Sequence, residues 1–256
     1  MYNSVDKKID VNRSFIDDTP GYWDGFWTRK GGLGIGGADP DAASLTLQRC
    51  HKILWSRELP CGKMMDLKAG SGSDYLTWDD FRFGSDSILI SFRYERCRSL
   101  LKEVAEAVGD YKAFVEEYLR WMYTIGGTII FPKHPNSINQ TRGTNPLICD
   151  RWDLTLECIR RYYAGEDSPL HSVLKSDQAF FDLFNDFKGY VDYFFLQDCV
   201  SEDYSSVDVW MGDGNLTSDP LPQSVNEYLQ WIQTELEFLA KRNNRISQFL
   251  DRKPSE

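Results

Sequence analysis

The chain has 256 residues, 41% of them apolar and 14% aromatic. That is enough for a large packed core, within one domain or two small ones, and it is far from a disordered composition. A formal charge of −10 removes the basic footprint that non-specific phosphate binding needs, so a general nucleic-acid binder is not expected, although one local basic pocket stays compatible with it.

Six cysteines fall at 50, 61, 97, 149, 158 and 199. None forms a C-x-x-C pair, and with three histidines there is no zinc-type ligand spacing. Reduced thiols, no metal and a cytoplasmic location are therefore expected. The opening MYNSVDKKIDVNRS has no apolar signal core, and no 18-residue apolar run suggests a membrane span.

Residues 1–45 carry much Gly, Asp and Trp and little periodicity, and read as an irregular arm anchored by Tyr22, Trp23, Phe26 and Trp27. Residues 44–56 fit a helix capped by Ser44, with Leu47, Cys50 and Leu54 as its apolar line. Met64–Leu67 and Tyr75–Trp78 read as short extended pieces around the flexible AGSGSD. From Ser85 two periods compete. Ile88, Ile90, Phe92 and Tyr94 alternate as in a strand, whereas Ile90, Tyr94, Cys97, Leu101, Val104 and Val108 step as in a helix. The longer pattern favours a helix over roughly 86–108, stopped by Gly109.

A second helix follows to about residue 124, then TIIFP as a buried strand closed by proline. A long loop from 132 leads into the helix at 150–163, apolar around most of its circumference. The aromatic stretch 178–199 reads as another helix. Ser224-x-x-Glu227 is a capping box opening a final helix to about 248. The fold class expected is α+β: a mostly helical single domain over 1–256, with a small mixed sheet and the irregular arm.

Four long phrases carry a resemblance: GGADPDAASLTLQRCHKILWSRELPCGK, GSDYLTWDDFRFGSDSI, IGGTIIFPKHPNSINQTRGTNPLICDRWDLTLECIRRYY and DFKGYVDYFFLQDCV. They are similar to a bacterial family of unknown function, DUF6994, over about residues 21 to 246. The resemblance implies a bacterial, cytoplasmic protein and brings no activity, cofactor or catalytic residue.

GGLGIGGAD contains a formal G-x-G-x-x-G, but WDGFWTRK before it and ADPDA after it supply neither the strand nor the helix of a dinucleotide site. It reads as a loop, or as a flap with Arg29 and Lys30 near an anion. Polar function concentrates in SINQTRGTNPLICDRWDLTLE, residues 137–157. Two readings compete there. In one, arginines and aspartates pin the loop to the core, with Asp150 capping the helix. In the other, Asn139, Arg142, Asn145 and Arg151 bind a small anionic metabolite or nucleotide while Asp153 or Glu157 handles a proton. Cys149, at a helix start beside Arg151, is a weaker nucleophile candidate. His51, on the amphipathic 44–56 helix, is a further catalytic candidate or a satisfied structural histidine. His51, Tyr75 and Glu157 also occur in the order of the His–Tyr–Glu trio of some NAD-consuming ADP-ribosyltransferases. The expectation is an enzyme for a small anionic ligand at 137–157. The alternative is a non-catalytic binding or protein-interaction domain presenting an aromatic surface.

Overall fold

A four-stranded meander and the helices around it make up the computed structural model, which describes residues 9–28, 39–71, 74–89 and 98–252. Strands β1 (Lys68–Ala69), β2 (Leu76–Trp78), β3 (Phe81–Ser87) and β4 (Thr128–Pro132) lie in chain order. Every pairing among the described residues is antiparallel, where a mixed sheet was expected. A tight turn at Asp79, φ 51, folds β2 back on β3, and the longest pairing runs from Phe83↔Pro132 to Ser87↔Thr128. TIIFP is the strand its sequence suggested, buried at every residue.

The expected arm is more ordered than its composition indicates. Phe15–Asp18 form a 3-10 turn, followed by α1 (Tyr22–Thr28) and α2 (Pro40–Ala43). Phe15, Ile16, Tyr22 and Phe26 are buried in the core, Tyr22 and Phe26 one turn apart on α1, because the segment removes its apolar surface from water. Helix α3 (Leu45–Trp55) begins where Ser44 accepts from the Leu47 N–H at 3.1 Å, as expected of an N-cap.

The helix expected over 86–108 is corrected at its start. Asp86 and Ser87 belong to β3, and the ladder to β4 outweighs the helical period there. Helix α4 (Arg98–Val108) takes over on the Leu101, Val104 line, and Gly109 ends it at φ 75. Ile90, Phe92, Tyr94 and Cys97 lie outside the described residues. Helix α5 (Tyr111–Met122) follows as expected.

The presumed loop after β4 contains α6 (Ile138–Thr144). Next comes α7 (Trp152–Ala164), buried at every position from Trp152 to Ile159. The single helix expected over 178–199 is broken. It resolves, after α8 (His171–Ser176), into α9 (Gln178–Phe181) and α10 (Phe187–Tyr193), with 3-10 turns at Asp182–Phe184 and Gln197–Cys199. Asn185 and Phe195 at φ 66 and 55 make the breaks. The aromatics gain by this: Phe180, Phe181, Phe184, Tyr190 and Phe194 are all fully buried, which one straight helix with a single inward stripe does not achieve. Helix α11 (Val225–Arg252) opens on the capping box, Ser224 Oγ accepting from Glu227 N and Glu227 accepting from Gln223 N. The buried apolar side chains from Ile9 to Ile246 form one cluster. No described helix is long and apolar enough to cross a membrane.

Candidate functional site

The two arginines of 137–157 are both buried. Arg142 on α6 is 0% exposed. Its Nη1 meets Asp86 at 3.0 Å, Asp150 at 3.3 Å and the Ser87 carbonyl at 3.2 Å. Its Nη2 donates to the carbonyls of Ile88 at 3.1 Å and Asp150 at 2.5 Å, and its Nε to Thr155 at 3.2 Å. It thus ties the end of β3 to α6 and α7. Arg151 grips Asp153 with Nε and Nη2 and donates to the carbonyls of Met211 and Pro220, both at 2.8 Å. Asp153 further accepts from Trp210 N at 2.9 Å. The 202–224 segment is thereby fastened to the N-terminus of α7.

Among the described residues every guanidinium nitrogen of Arg142 and Arg151 has at least one protein partner, which suits the structural reading of this cluster. Asp150 does not cap α7: it sits at φ 63 with Arg142, and Arg151 occupies the N-cap. Glu157 lies one turn beyond Asp153 on α7, held by Arg160 at 2.8 Å and Arg161 at 2.7 Å. Burial raises its pKa, but the two arginines outweigh that and keep it below the ordinary carboxylate value. Asn145 spans a turn, accepting from Leu147 N and donating to Pro169 O, and Asn139 accepts from Ser137. Cys149 donates to the Pro146 carbonyl at φ 48, in a turn before the helix.

A second polar cluster, most of it unread in the sequence, forms where α2, α3, β3 and the loop before β2 meet. Asp39 caps α2, accepting from Asp41 N at 3.1 Å. Asp41 in the first turn is buried, and its carboxyl accepts from Ser87 at 2.7 Å and Ser85 at 3.4 Å. The two serines are two apart on β3 and share its face toward α2, while Asp86 between them faces Arg142. Burial, then the neighbouring charge of Asp39, push the Asp41 carboxyl well above its ordinary value, and the Ser87 bond only partly offsets this. Tyr123 donates to Asp39 at 3.4 Å and packs edge-on against Tyr22 at 5.8 Å. Both phenols are pushed up, chiefly by burial.

His51 on α3 lies beneath this cluster, 0% exposed. Its Nδ1 meets the Tyr75 hydroxyl at 3.1 Å and its Nε2 meets Thr128 Oγ1 at 2.9 Å. Burial, with the Arg242 charge as a smaller cause, lowers the ring to about 3, so it is neutral. One assignment satisfies every partner: Tyr75 donates to Nδ1, Nε2–H donates to Thr128, and Thr128 donates to the Ile125 carbonyl at 3.2 Å. His51 therefore reaches any ligand only through Tyr75. Of the His–Tyr–Glu trio the structure brings His51 and Tyr75 together, while Glu157 pairs with Arg160 and Arg161 elsewhere on α7.

DUF6994, a family of unknown function, matches residues 9–246, nearly the whole described structure. The chain belongs to this family. No curated protein and no solved structure matches it. In this DUF6994 chain no group of three or more His, Cys, Asp or Glu among the described residues could hold a metal ion. The acidic cluster had a signal in sequence: D-P-D-A is an Asp N-cap with proline in the first turn, and G-S-D-S alternates as a strand.

Proposed function

We propose that the DUF6994 chain is an enzyme that takes a small polar ligand bearing a positive group against Asp41 and exchanges a proton with it there. One contrast supports the reading. Asp150, Asp153 and Glu157 each have an arginine partner, whereas Asp41 is buried on serine hydroxyls, with no cation within ion-pair distance among the described residues. Burying a carboxyl without a cation is costly, and such groups gather at sites that handle protons. The ligand's charge is opposite to that expected at 137–157, since those arginines are saturated and this cluster is acidic. Tyr75 and Ser85 are half-buried and offer hydroxyls beside Asp41, with neutral His51 fixing the Tyr75 hydroxyl from behind.

A cation arriving beside Asp41 lowers the carboxyl's raised pKa, so binding at a pH where Asp41 holds its proton releases up to one proton. Calorimetry with small amines and guanidines, repeated in buffers of different ionisation heat, measures that release. Asp41→Asn keeps the shape, removes the exchange and weakens binding. Stabilisation by sugar phosphates or nucleotides alone, or amine binding with no proton release, overturns the reading.

A further inference from the structure

We infer that Arg242 and Tyr190 enclose a binding site for a small monovalent anion, of halide size, inside the core. Arg242 on α11 is 0% exposed, and no carboxylate lies within ion-pair distance of it among the described residues. Its Nε donates to the Phe194 carbonyl at 3.1 Å, and its Nη1 donates to the carbonyls of Gly126 at 2.6 Å and Thr128 at 3.1 Å. Nη2 has no partner among the described residues, although its surroundings exclude solvent. The Tyr190 hydroxyl, one helical turn before Phe194, is likewise buried and without a partner.

Docking α11 does not account for Nη2. Asn243, the next residue, already fastens the same turn with a neutral amide, accepting from Gly126 N at 2.8 Å and donating to Thr124 at 3.0 Å. Gly126 accommodates this closely, since a Cβ there would lie 2.3 Å from the Asn243 amide oxygen. The three carbonyls occupy Nε and Nη1 alone, so the guanidinium leaves a positive charge and a surplus donor pair on Nη2 that nothing among the described residues neutralises. A buried charge without a counter-charge is unstable, and a water satisfies donors without cancelling charge. A halide does both, accepting from Nη2 and from the Tyr190 hydroxyl. The electrostatics agree: burial lowers Arg242 to about 10, with Cys199 and then Tyr190 acting against it, and burial raises the Tyr190 phenol, with Arg242 and then Arg142 acting against that. The site is distinct from the Asp41 cluster and stands whether or not that cluster binds a cation.

The test uses the whole chain. Thermal unfolding is followed while gluconate is replaced by chloride or bromide at constant ionic strength. Halide at ten times its dissociation constant raises Tm by about 3–6 °C. Crystals grown in bromide should show an anomalous peak within hydrogen-bond reach of Arg242 Nη2 and Tyr190 Oη. Tyr190→Phe, which removes one oxygen from an otherwise apolar ring, should at least halve the halide-dependent shift. Arg242→Gln should abolish it if the variant folds, and the Tyr190→Phe readout stands by itself if it does not. A Tm indifferent to halide, a water in place of the bromide peak, or a full shift in Tyr190→Phe would each overturn the site.

Discussion

The Tyr75 hydroxyl and His51 Nδ1 meet across 3.1 Å, joining a half-buried phenol to an imidazole that solvent never touches. The low pKa of the ring, about 3 against an ordinary 6.5, has a consequence for acid stability. The unfolded histidine takes up its proton as pH falls through 6.5, and the folded one does not until about 3. The stability that neutral His51 contributes is full above 6.5 and is lost progressively across that window. Ring resonances of His51 should stay fixed between pH 5 and 8, while those of His134, bonded to Asp177 at 2.7 Å, titrate above the ordinary histidine value. A His51 signal moving near pH 6.5 would contradict the burial described.

Asp41 works in the opposite sense. Its folded pKa lies above the unfolded 3.8, so folded protein holds this proton where unfolded protein has released it. The stability this proton contributes is full below 3.8 and is lost as pH rises through the folded value. Asp41→Asn, a neutral copy of the protonated acid, should be at least as stable as the parent at pH 7 and should lack that part of the decline. Thermal unfolding of both proteins from pH 4 to 8 checks this. A strongly destabilised Asp41→Asn at pH 7 would mean that the ionised carboxylate is structural.

Legibility in the sequence followed whether a signal was local. Caps at Ser44 and Ser224, the TIIFP strand and the Gly109 stop depend on neighbouring residues, and each is where the pattern places it. The start of the 86–108 element was misread because strand and helix periods overlap there, and the partner that decides, β4, begins at Thr128. The aromatic stretch 178–199 was misread because Asn185 and Phe195 adopt positive φ without glycine to announce it. The density of polar groups at 137–157 was legible, but its role was not. Arg142 answers to Asp86, 56 residues away, and Arg151 to Pro220, 69 away. The Asp41 cluster was missed for the same reason, since Ser85 and Ser87 lie 44 and 46 residues from Asp41.

Cysteine reactivity should follow burial. Burial pushes the Cys50 and Cys158 thiols up to about 11 and Cys199 well above its ordinary value, while Cys61 is exposed. The thiolate is the reactive form, so a thiol reagent at pH 8 should label Cys61 fast and Cys50, Cys158 and Cys199 only on unfolding. Mass mapping after a short pulse reads this directly. Early labelling of Cys158 or Cys199 would show that the core around α7 and α11 opens readily.

Arg142 and Arg151 distinguish a structural network from a ligand site. Arg142→Ala takes the guanidinium from Asp86, Asp150 and the carbonyls of Ser87 and Ile88, and Arg151→Ala takes it from the Met211 and Pro220 carbonyls and leaves buried Asp153 without its cation. Each loss leaves buried polar groups unpaired and should cost about 3–5 kcal/mol. Arg160→Ala is the control. Its side chain is 19% exposed, and Glu157 keeps Arg161, so the loss should stay below about 1 kcal/mol. Urea unfolding of the three variants measures the differences, and phosphate or a nucleotide added to the parent should leave its midpoint unmoved. If either core arginine can be removed for less than about 1 kcal/mol and phosphate stabilises the parent, the guanidinium is held for an anion, and the function belongs at 137–157 instead of at Asp41.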